Sequence, residues 1–580
     1  MVFYPPSLAG TVPEIPDTLS IPEFMLDEKH GRTPIAQSWN PYVCGLSGET
    51  FTMQEQKDRV THLARALSKE LGWKVNQGTE YDKVAGVFAL NTIDIMTLSW
   101  AIHRLNGVSS PANAAYSTEE LNHQLTNSGS TCLFTVMPLL DTALKAAKKA
   151  KIPRNRIYIC EMPGDKDYPE DLKRLSQLTK EGESLPEIEP VKWSKGQGER
   201  QTAFLCYSSG TSGLPKGVMI SHRNVIANTM QITAYDKPGR EHVGGKDYKD
   251  VALGLLPQSH IYGLIVICHA STYRGDRVVV LPKFEMQQYL NAIVKYKINT
   301  LYIVPPIIIN MVKNQKTLSN YDLSSVKQIF TGAAPLGKET AEELNQQYPS
   351  WLVRQGYGLT ETCTVVCSSS PFDIWFGSSG ILLPGYKAKV MSIEGNEITG
   401  YDQPGELLVQ SPSVVLGYLK NDKATKETFV DEPEGRFMRT GDEVVFRKSP
   451  NGNEHIWVVD RIKELIKVKG LQVAPAELEA CLLNHPAVAD CAVIPVADDR
   501  AGEVPKAFVV KSSEVGLEES DAMLRRNISK FVEKEKARHK WLAGGVEFID
   551  VIPKSPSGKI LRRMLRDKER EARKKGGAKL

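Results

Sequence analysis

The sequence is short of the features that would place it in a membrane, a disulfide frame or a zinc site. No uncharged apolar run reaches the ~18 residues that a bilayer crossing needs. The most apolar stretch, around Leu253 to Ala270, is broken by Pro257, Gln258, Ser259 and His260. The N-terminus lacks a basic segment followed by an apolar one, so no secretory signal is expected. Nine cysteines are scattered without a C-x-x-C pair, Cys363 and Cys367 being the nearest two. An odd, dispersed set reads as reduced thiols in an intracellular protein. No cluster has the close four-ligand spacing that structural zinc requires. The formal net charge is only +4, and its basic excess lies at the end of the chain: nine Lys or Arg against three Asp or Glu from Arg562 onward. That tail has no interleaved aromatics for stacking on bases, so it reads as a solvated terminal helix and not a nucleic-acid site.

What is present is a chain of 580 residues, too long for one hydrophobic core. Residues 1 to about 50 are rich in proline and polar groups and read as an extended arm over a domain. Helical and strand patterns then alternate. Met53 to Leu71 and Asp94 to Leu105 carry helical apolar spacing, and Lys83 to Ala89 is a buried-strand candidate. Thr202 to Tyr207, Val278 to Leu281, Thr300 to Val304 and Val326 to Thr331 are further buried strands, each followed by Gly, Pro or Ser and a helix pattern. This rhythm predicts an α/β fold with doubly wound parallel sheets, which bind ligands at the carboxyl ends of strands. After about Val444 the texture changes. Glu454 to Val459, Val488 to Val496 and Ala507 to Lys511 read as strands, and Ala476 to Leu483 and Ala522 to Glu535 as helices. The expected division is a large domain over 1–459 and a small α+β domain over 460–580.

The densest chemical signal is Tyr207-Ser-Ser-Gly-Thr-Ser-Gly-Leu-Pro-Lys-Gly-Val218, directly after a predicted strand. Three glycines permit backbone angles that let N–H groups face an anion. Ser208, Ser209, Thr211 and Ser212 add hydroxyl donors beside Gly210 and Gly213, and Lys216 adds charge. It is not the G-x-x-x-x-G-K-[ST] loop, because Gly217 follows the lysine.

The stretch resembles the phosphate loop of the adenylate-forming superfamily: acyl-CoA synthetases, stand-alone adenylation domains and firefly-type luciferases. Further motifs agree in order and spacing: Gly332-Ala-Ala-Pro335, Gly356-Tyr-Gly-Leu-Thr-Glu361, Thr440-Gly-Asp442, Asp460-Arg-Ile-Lys-Glu-Leu-Ile-Lys467 and Pro556-Ser-Gly-Lys559. The segment Val468 to Glu479 is most similar to the 4-coumarate–CoA ligase-like branch. The resemblance spans about residues 50 to 565. It implies a two-step reaction, in which a carboxylate attacks the α-phosphate of ATP and a thiol, usually of coenzyme A, then displaces AMP. Neither step requires a protein nucleophile, so catalysis rests on positioning and charge stabilisation.

The resemblance also implies roles. Lys559 bridges the carboxylate and α-phosphate, Thr360 donates to that phosphate, and Glu361 is a ligand of Mg²⁺, a hard cation that takes oxygen ligands. Tyr357 stacks on adenine beside Ala333, with Gln355 and Gly356 in the same nucleotide segment. Asp442 accepts from the ribose hydroxyls with Arg461 in support. Lys463 is the hinge position. Lys467 and Gln472 contact AMP in the thioester-forming state, and Lys469, Gly470 and Lys283 contact coenzyme A. Rotation of a mobile C-terminal domain between the two half reactions is implied, because Lys559 and the Lys467–Gln472 strip share one domain. His260 gates the acyl pocket. Tyr262, Val266, Phe330, Ala333, Cys363, Thr364 and Val365 line it.

Coumarate enzymes usually have small or polar groups at the position of Val266 and a Gly-Pro pair where Cys363-Thr364 stand. The departure suggests an apolar wall suited to an aliphatic, aryl-alkanoic or polyketide-like acid. Alternatives to the ligase are a stand-alone enzyme loading a carrier protein and a luciferase-like oxygenase. The terminal Ala578-Lys579-Leu580 resembles a peroxisomal address and implies an import-receptor partner.

Overall fold

The computed structural model describes residues 1–208, 215–512, 520–555 and 558–577, with 573–577 described as backbone only. Residues 209–214 of the phosphate loop, Pro556-Ser557 and the terminal tripeptide lie outside the described residues.

The fold is α/β, with a large N-terminal domain and a small α+β C-terminal domain. Among the described residues the large domain holds two sheets of mainly parallel strands. One has the order Tyr42–Cys44, Arg277–Val280, Val251–Gly254, Thr300–Ile303, Gln328–Thr331, Leu352–Leu359, Thr364–Ser368, Ile381–Leu382, and its last two strands are antiparallel. The other runs Gly417–Tyr418, Lys216–Ser221, Thr202–Ser208, Val108–Ala112, Val84–Phe88, Cys132–Thr135, Ile157–Ile159. Central strands such as Val84–Phe88 are buried along their whole length, as parallel strands covered on both faces must be. The covering helices start and stop on local signals. Met53–Leu71 begins where the Thr52 hydroxyl accepts from the Glu55 N–H at 3.2 Å and the Glu55 carboxylate accepts from the Thr52 N–H at 2.7 Å. It buries Met53, Gln56, Val60, Leu63 and Leu67 along one face.

A third, antiparallel sheet over residues 387–461 was not anticipated beyond the strand near Glu454. It contains Lys387–Met391, Gly405–Gln410, Gly435–Lys448, Phe429–Glu432 and Glu454–Arg461. The N-terminal arm clips onto it: Phe3 stacks on Phe446 at 3.9 Å, and its backbone exchanges hydrogen bonds with Ala388. The strand Glu454–Arg461 pairs with Gly435–Lys448 as far as Asp442↔Arg461, so the expected division before residue 460 falls inside it.

The small domain has its own cores. One is built from Ile466, Leu478, Leu482, Val493, Val509 and Ile528, and another from Ile494, Phe508, Ile552 and Leu565. Its sheet orders Leu471–Val473, Ile466–Val468, Gly502–Lys511 and Val488–Asp498, with Val546–Phe548 parallel to Gly502–Lys511.

Candidate active site

The site forms at the carboxyl ends of the parallel strands, where three motifs far apart in sequence converge. The strand Leu352–Leu359 ends in a short 3₁₀ turn, Thr360–Thr362, that carries Thr360 and Glu361. Glu361 is buried, and its Oε1 accepts hydrogen bonds from the Ser208 and Tyr418 hydroxyls, each at 3.0 Å. Both bonds fall on one oxygen. Oε2 has no further hydrogen bond among the described residues and can serve a cation. No group of three or more His, Cys, Asp or Glu that could hold a metal occurs among the described residues. One carboxylate suits Mg²⁺ carried largely by phosphates and water, and does not suit an all-protein cage. Lys216 pairs across the hairpin with Ser208, and its ammonium lies 4.7 Å from the Tyr418 ring. Ser208 and Lys216 thus deliver the two ends of the phosphate loop beside Glu361.

Tyr418 gave no sequence signal, being one aromatic after a glycine. It matters because its hydroxyl holds Glu361 Oε1 from the short strand Gly417–Tyr418 of the other sheet. Likewise Gln355 was expected at the nucleotide, but its side chain is engaged in the protein. Its Oε1 accepts from the Leu336 N–H at 2.9 Å, which fixes the turn containing Gly332 and Ala333. Ala333 is exposed and holds a left-handed φ of 67°, a strained conformation for a residue with a Cβ. Gly356 is required by contact: a Cβ there would sit 2.5 Å from Phe330 Cζ.

Asp442 is buried at the bend of its strand. Its Oδ2 accepts from the Tyr357 hydroxyl at 2.6 Å, and Oδ1 lies 3.5 Å from Arg461 Nε. Burial pushes its carboxyl up, and the Arg461 charge and the Tyr357 hydrogen bond oppose that rise. Burial, with Asp442 beside it, drives the Tyr357 phenol well above its ordinary range, so the tyrosine remains a donor.

Lys559 comes from the other domain. Its loop is closed by two hydrogen bonds with Ser555: Ser555 N–H to the Lys559 carbonyl at 2.8 Å and Lys559 N–H to Ser555 Oγ at 3.2 Å. Gly558 has φ 82°, and a Cβ on it would meet Val304 Cγ2 of the large domain at 3.1 Å. The loop therefore docks on the strand-end segment of the large domain, and Lys559 reaches the charges of Asp442 and Glu361. Burial first and Arg461 second push its ammonium down to about 8, while Asp442, Glu361 and Glu464 oppose this. His260 is pushed down to about 4, by burial and then by the Lys559 charge. It is neutral near pH 7. Its Nδ1 accepts from the Tyr262 N–H at 3.3 Å, leaving the proton on Nε2.

The remaining expected residues divide. Val266, Phe330 and Val365 line one small cavity. Tyr262 is buried above it and donates to the Phe330 carbonyl at 2.8 Å. Cys363 and Thr364 do not line the cavity. They occupy a bend with φ 53° and 110°, where Cys363 is fully buried and Thr364 Oγ1 donates to the Ile261 carbonyl at 3.1 Å. The expected apolar wall is apolar only on its sides, for Tyr302, Gln328 and Arg354, with the charged Asp236, Arg240 and Asp250, also line the cavity. Lys463, Lys467, Lys469, Gly470 and Gln472 are exposed on the small domain, as is Lys283 on a loop of the large one. In this arrangement none of the six takes part in the buried cluster around Glu361, Asp442 and Lys559.

Comparison with known proteins gives the family. The AMP-binding enzyme model matches residues 32–419, and the AMP-binding enzyme C-terminal domain model matches 477–559. The chain is 39% identical to the acyl-CoA ligase easD of Emericella nidulans, over 98% of this chain and 100% of that protein. It is 40% identical to the acyl-CoA ligase cm3C of Cordyceps militaris, over 95% and 88%. Its fold matches an anthranilate CoA ligase in complex with anthranoyl-AMP, with TM-score 0.77, 23% identity and coverage of 95% and 97%. It also matches the o-succinylbenzoate CoA synthetase of Bacillus subtilis with its acyl-adenylate, with TM-score 0.71, 25% identity and coverage of 91% and 95%. The chain belongs to the AMP-binding enzyme family, the adenylate-forming superfamily.

Proposed function

We propose that the protein is an ATP-dependent acyl-CoA ligase, which converts a carboxylic acid to acyl-AMP and pyrophosphate and then, with coenzyme A, to acyl-CoA and AMP. The observation that carries this reading is the convergence of Lys559, from the small domain, with Glu361 and Asp442 of the large one. Two anions must approach for the first step, and a long-stemmed ammonium between them lowers that barrier most where water is excluded. Asp442 and Tyr357 hold the nucleoside. Ser208 and Lys216 hold the phosphates, and Thr360 assists at the α-phosphate. Glu361 would hold Mg²⁺, which when bound would supply charge to neutralise the polyphosphate. Neutral His260 caps the acyl side without adding a second cation beside Lys559.

The thioester step belongs to the exposed hairpin. Lys467 and Gln472 meet AMP, and Lys469, Gly470 and Lys283 meet coenzyme A, after the small domain turns about Lys463. The described arrangement suits adenylation, with Lys559 inward and the hairpin outward. The naming of full-length relatives as acyl-CoA ligases supports coenzyme A over a carrier protein as acceptor. The deciding assay is a panel of carboxylic acids scored for AMP release. Release that requires both ATP and coenzyme A supports the reading. Release with ATP and a carrier protein but not with coenzyme A overturns it. The terminal Ala578-Lys579-Leu580 supports a peroxisomal location. A fluorescent fusion is expected in puncta that disperse when Leu580 is deleted.

A further inference from the structure

The small cavity below the site, of about 20 Å³, is enclosed by the helix His222–Gly244, the π-helix Tyr262–Ala270 and the strands of the larger sheet. It contains Val266, Phe330 and Val365, three of the residues expected to line the acyl pocket. Ile232, Val266, Phe330, Val365 and Leu383 make its sides apolar. Its floor is polar and charged: Gln328, two residues further from the nucleotide than Phe330 on the same strand face, lies there with Tyr302 and Arg354, and Asp236, Arg240 and Asp250 reach it too.

The charged groups of the floor belong to a network that is internally matched. Arg354 pairs with Asp236 at 2.7 Å. Arg274 pairs with Asp236 at 3.2 Å and with Asp276 at 2.9 Å. Arg240 pairs with Asp276 at 2.6 Å and with Asp250. Three guanidinium groups thus meet three carboxylates. A second carboxylate on the substrate would bring an uncompensated charge into this buried place. A wholly apolar chain end would leave polar groups dry. The Tyr302 hydroxyl already accepts from Arg274 Nη2 at 3.0 Å, and its own hydrogen has no acceptor among the described hydrogen bonds. Burial raises the phenol's pKa, so it keeps that hydrogen. Gln328 donates to Thr300 Oγ1 at 3.1 Å and receives only a long 3.4 Å bond from Arg354.

We propose that the acid activated here has an apolar body and, near its distal end, a neutral oxygen (a hydroxyl or ketone) that accepts a hydrogen bond from Tyr302 at the pocket floor. This inference rests on the acyl-CoA ligase reading. Tyr302 becomes a specificity-determining residue, and the apolar side walls set only the girth of the chain.

The test uses the full-length protein with ATP and coenzyme A. It compares linear acids of six to twelve carbons with counterparts of equal length bearing a distal hydroxyl or ketone, and with the matching dicarboxylic acids. At the best chain length the oxygenated acid should exceed the plain acid by about tenfold or more in kcat/KM, the scale of one well-made buried hydrogen bond. Tyr302→Phe should bring that ratio toward one. Plain acids equal or superior at every length, or dicarboxylic acids superior to both, would overturn the inference. Should Tyr302→Phe not fold, the wild-type ratio decides alone. AMP release with no acid at all would instead refute the ligase reading.

Discussion

The small domain carries two segments rich in functional side chains, and they face opposite environments. The Lys559 loop is turned into the large domain, where Gly558 fits against Val304 and the lysine is half-buried. The hairpin from Ile466 to Val473 turns outward, with Lys467, Lys469, Gly470 and Gln472 in solvent and Leu471 52% exposed. Both segments belong to one folded unit, yet only one meets the nucleotide pocket. The difference is one of domain orientation. Burial sets the electrostatics of the inward lysine, whereas solvent screens the outward ones. A site divided in this way can assign its two half reactions to two segments and keep a single nucleotide pocket.

The most severe way to break the comparison is Lys559→Ala. Adenylation, followed as acid-dependent pyrophosphate release, should fall ~10²–10³-fold, the scale of losing one group that stabilises developing charge. Conversion of supplied acyl-AMP by coenzyme A should persist. Equal loss of both steps would mean that the two segments do not divide the work.

The pH profile sharpens the electrostatic half of the contrast. Lys559 must be protonated to bridge two anions, and its pKa is lowered to about 8, so charge is lost as pH rises through that value. For the adenylation step, kcat/KM should fall by about tenfold per unit above that point. Lys559→Arg, charged throughout, should remove the fall whatever its absolute rate. A profile flat to pH 9.5 in the wild type would contradict a buried, active lysine.

A smaller effect should come from Gly558→Ala. A left-handed conformation costs a residue with a Cβ ~1–2 kcal/mol, and the added methyl would crowd Val304. A several-fold loss confined to adenylation is expected in single-turnover measurements of the two steps. The mildest change should be Lys469→Ala, on the outward hairpin. A rise of a few-fold in the KM for coenzyme A is expected, with the pyrophosphate-release step unaffected. If the adenylation rate drops instead, the hairpin contributes to the inward arrangement.

Much of the fold is legible in the chain because it depends on local patterns. The helix Met53–Leu71 is bounded by Thr52 and Gly72, and the buried strands at 84–88, 202–208 and 300–303 are continuous apolar runs. The π-helix Tyr262–Ala270 was not legible, since an apolar run buried on every side has no periodicity to reveal its hydrogen-bond step. The antiparallel sheet over residues 387–461 is mostly not legible in the sequence, because its strands are broken by Gly, Pro and charged residues. At the site, Glu361, Asp442 and Lys559 were legible through ordered motifs. Tyr418 and the positioning role of Gln355 were not, because each acts through a partner distant in sequence.

By itself the sequence determined the nucleotide chemistry: a glycine, serine and threonine loop after a strand, and carboxylates and a lysine at ordered places, say that ATP is bound and attacked. Only the tertiary structure decided which lysine comes near Glu361 and Asp442 and which side chains floor the small cavity. Domain orientation rests on a few contacts between lobes, such as Lys313 Nζ to the Val488 carbonyl at 2.7 Å and Gly558 against Val304. The pocket floor joins Asp236, Arg240, Asp250, Arg274, Tyr302, Gln328 and Arg354, whose spacing in the chain follows no local period. Such groups acquire a common function only when a parallel sheet sets its strands side by side.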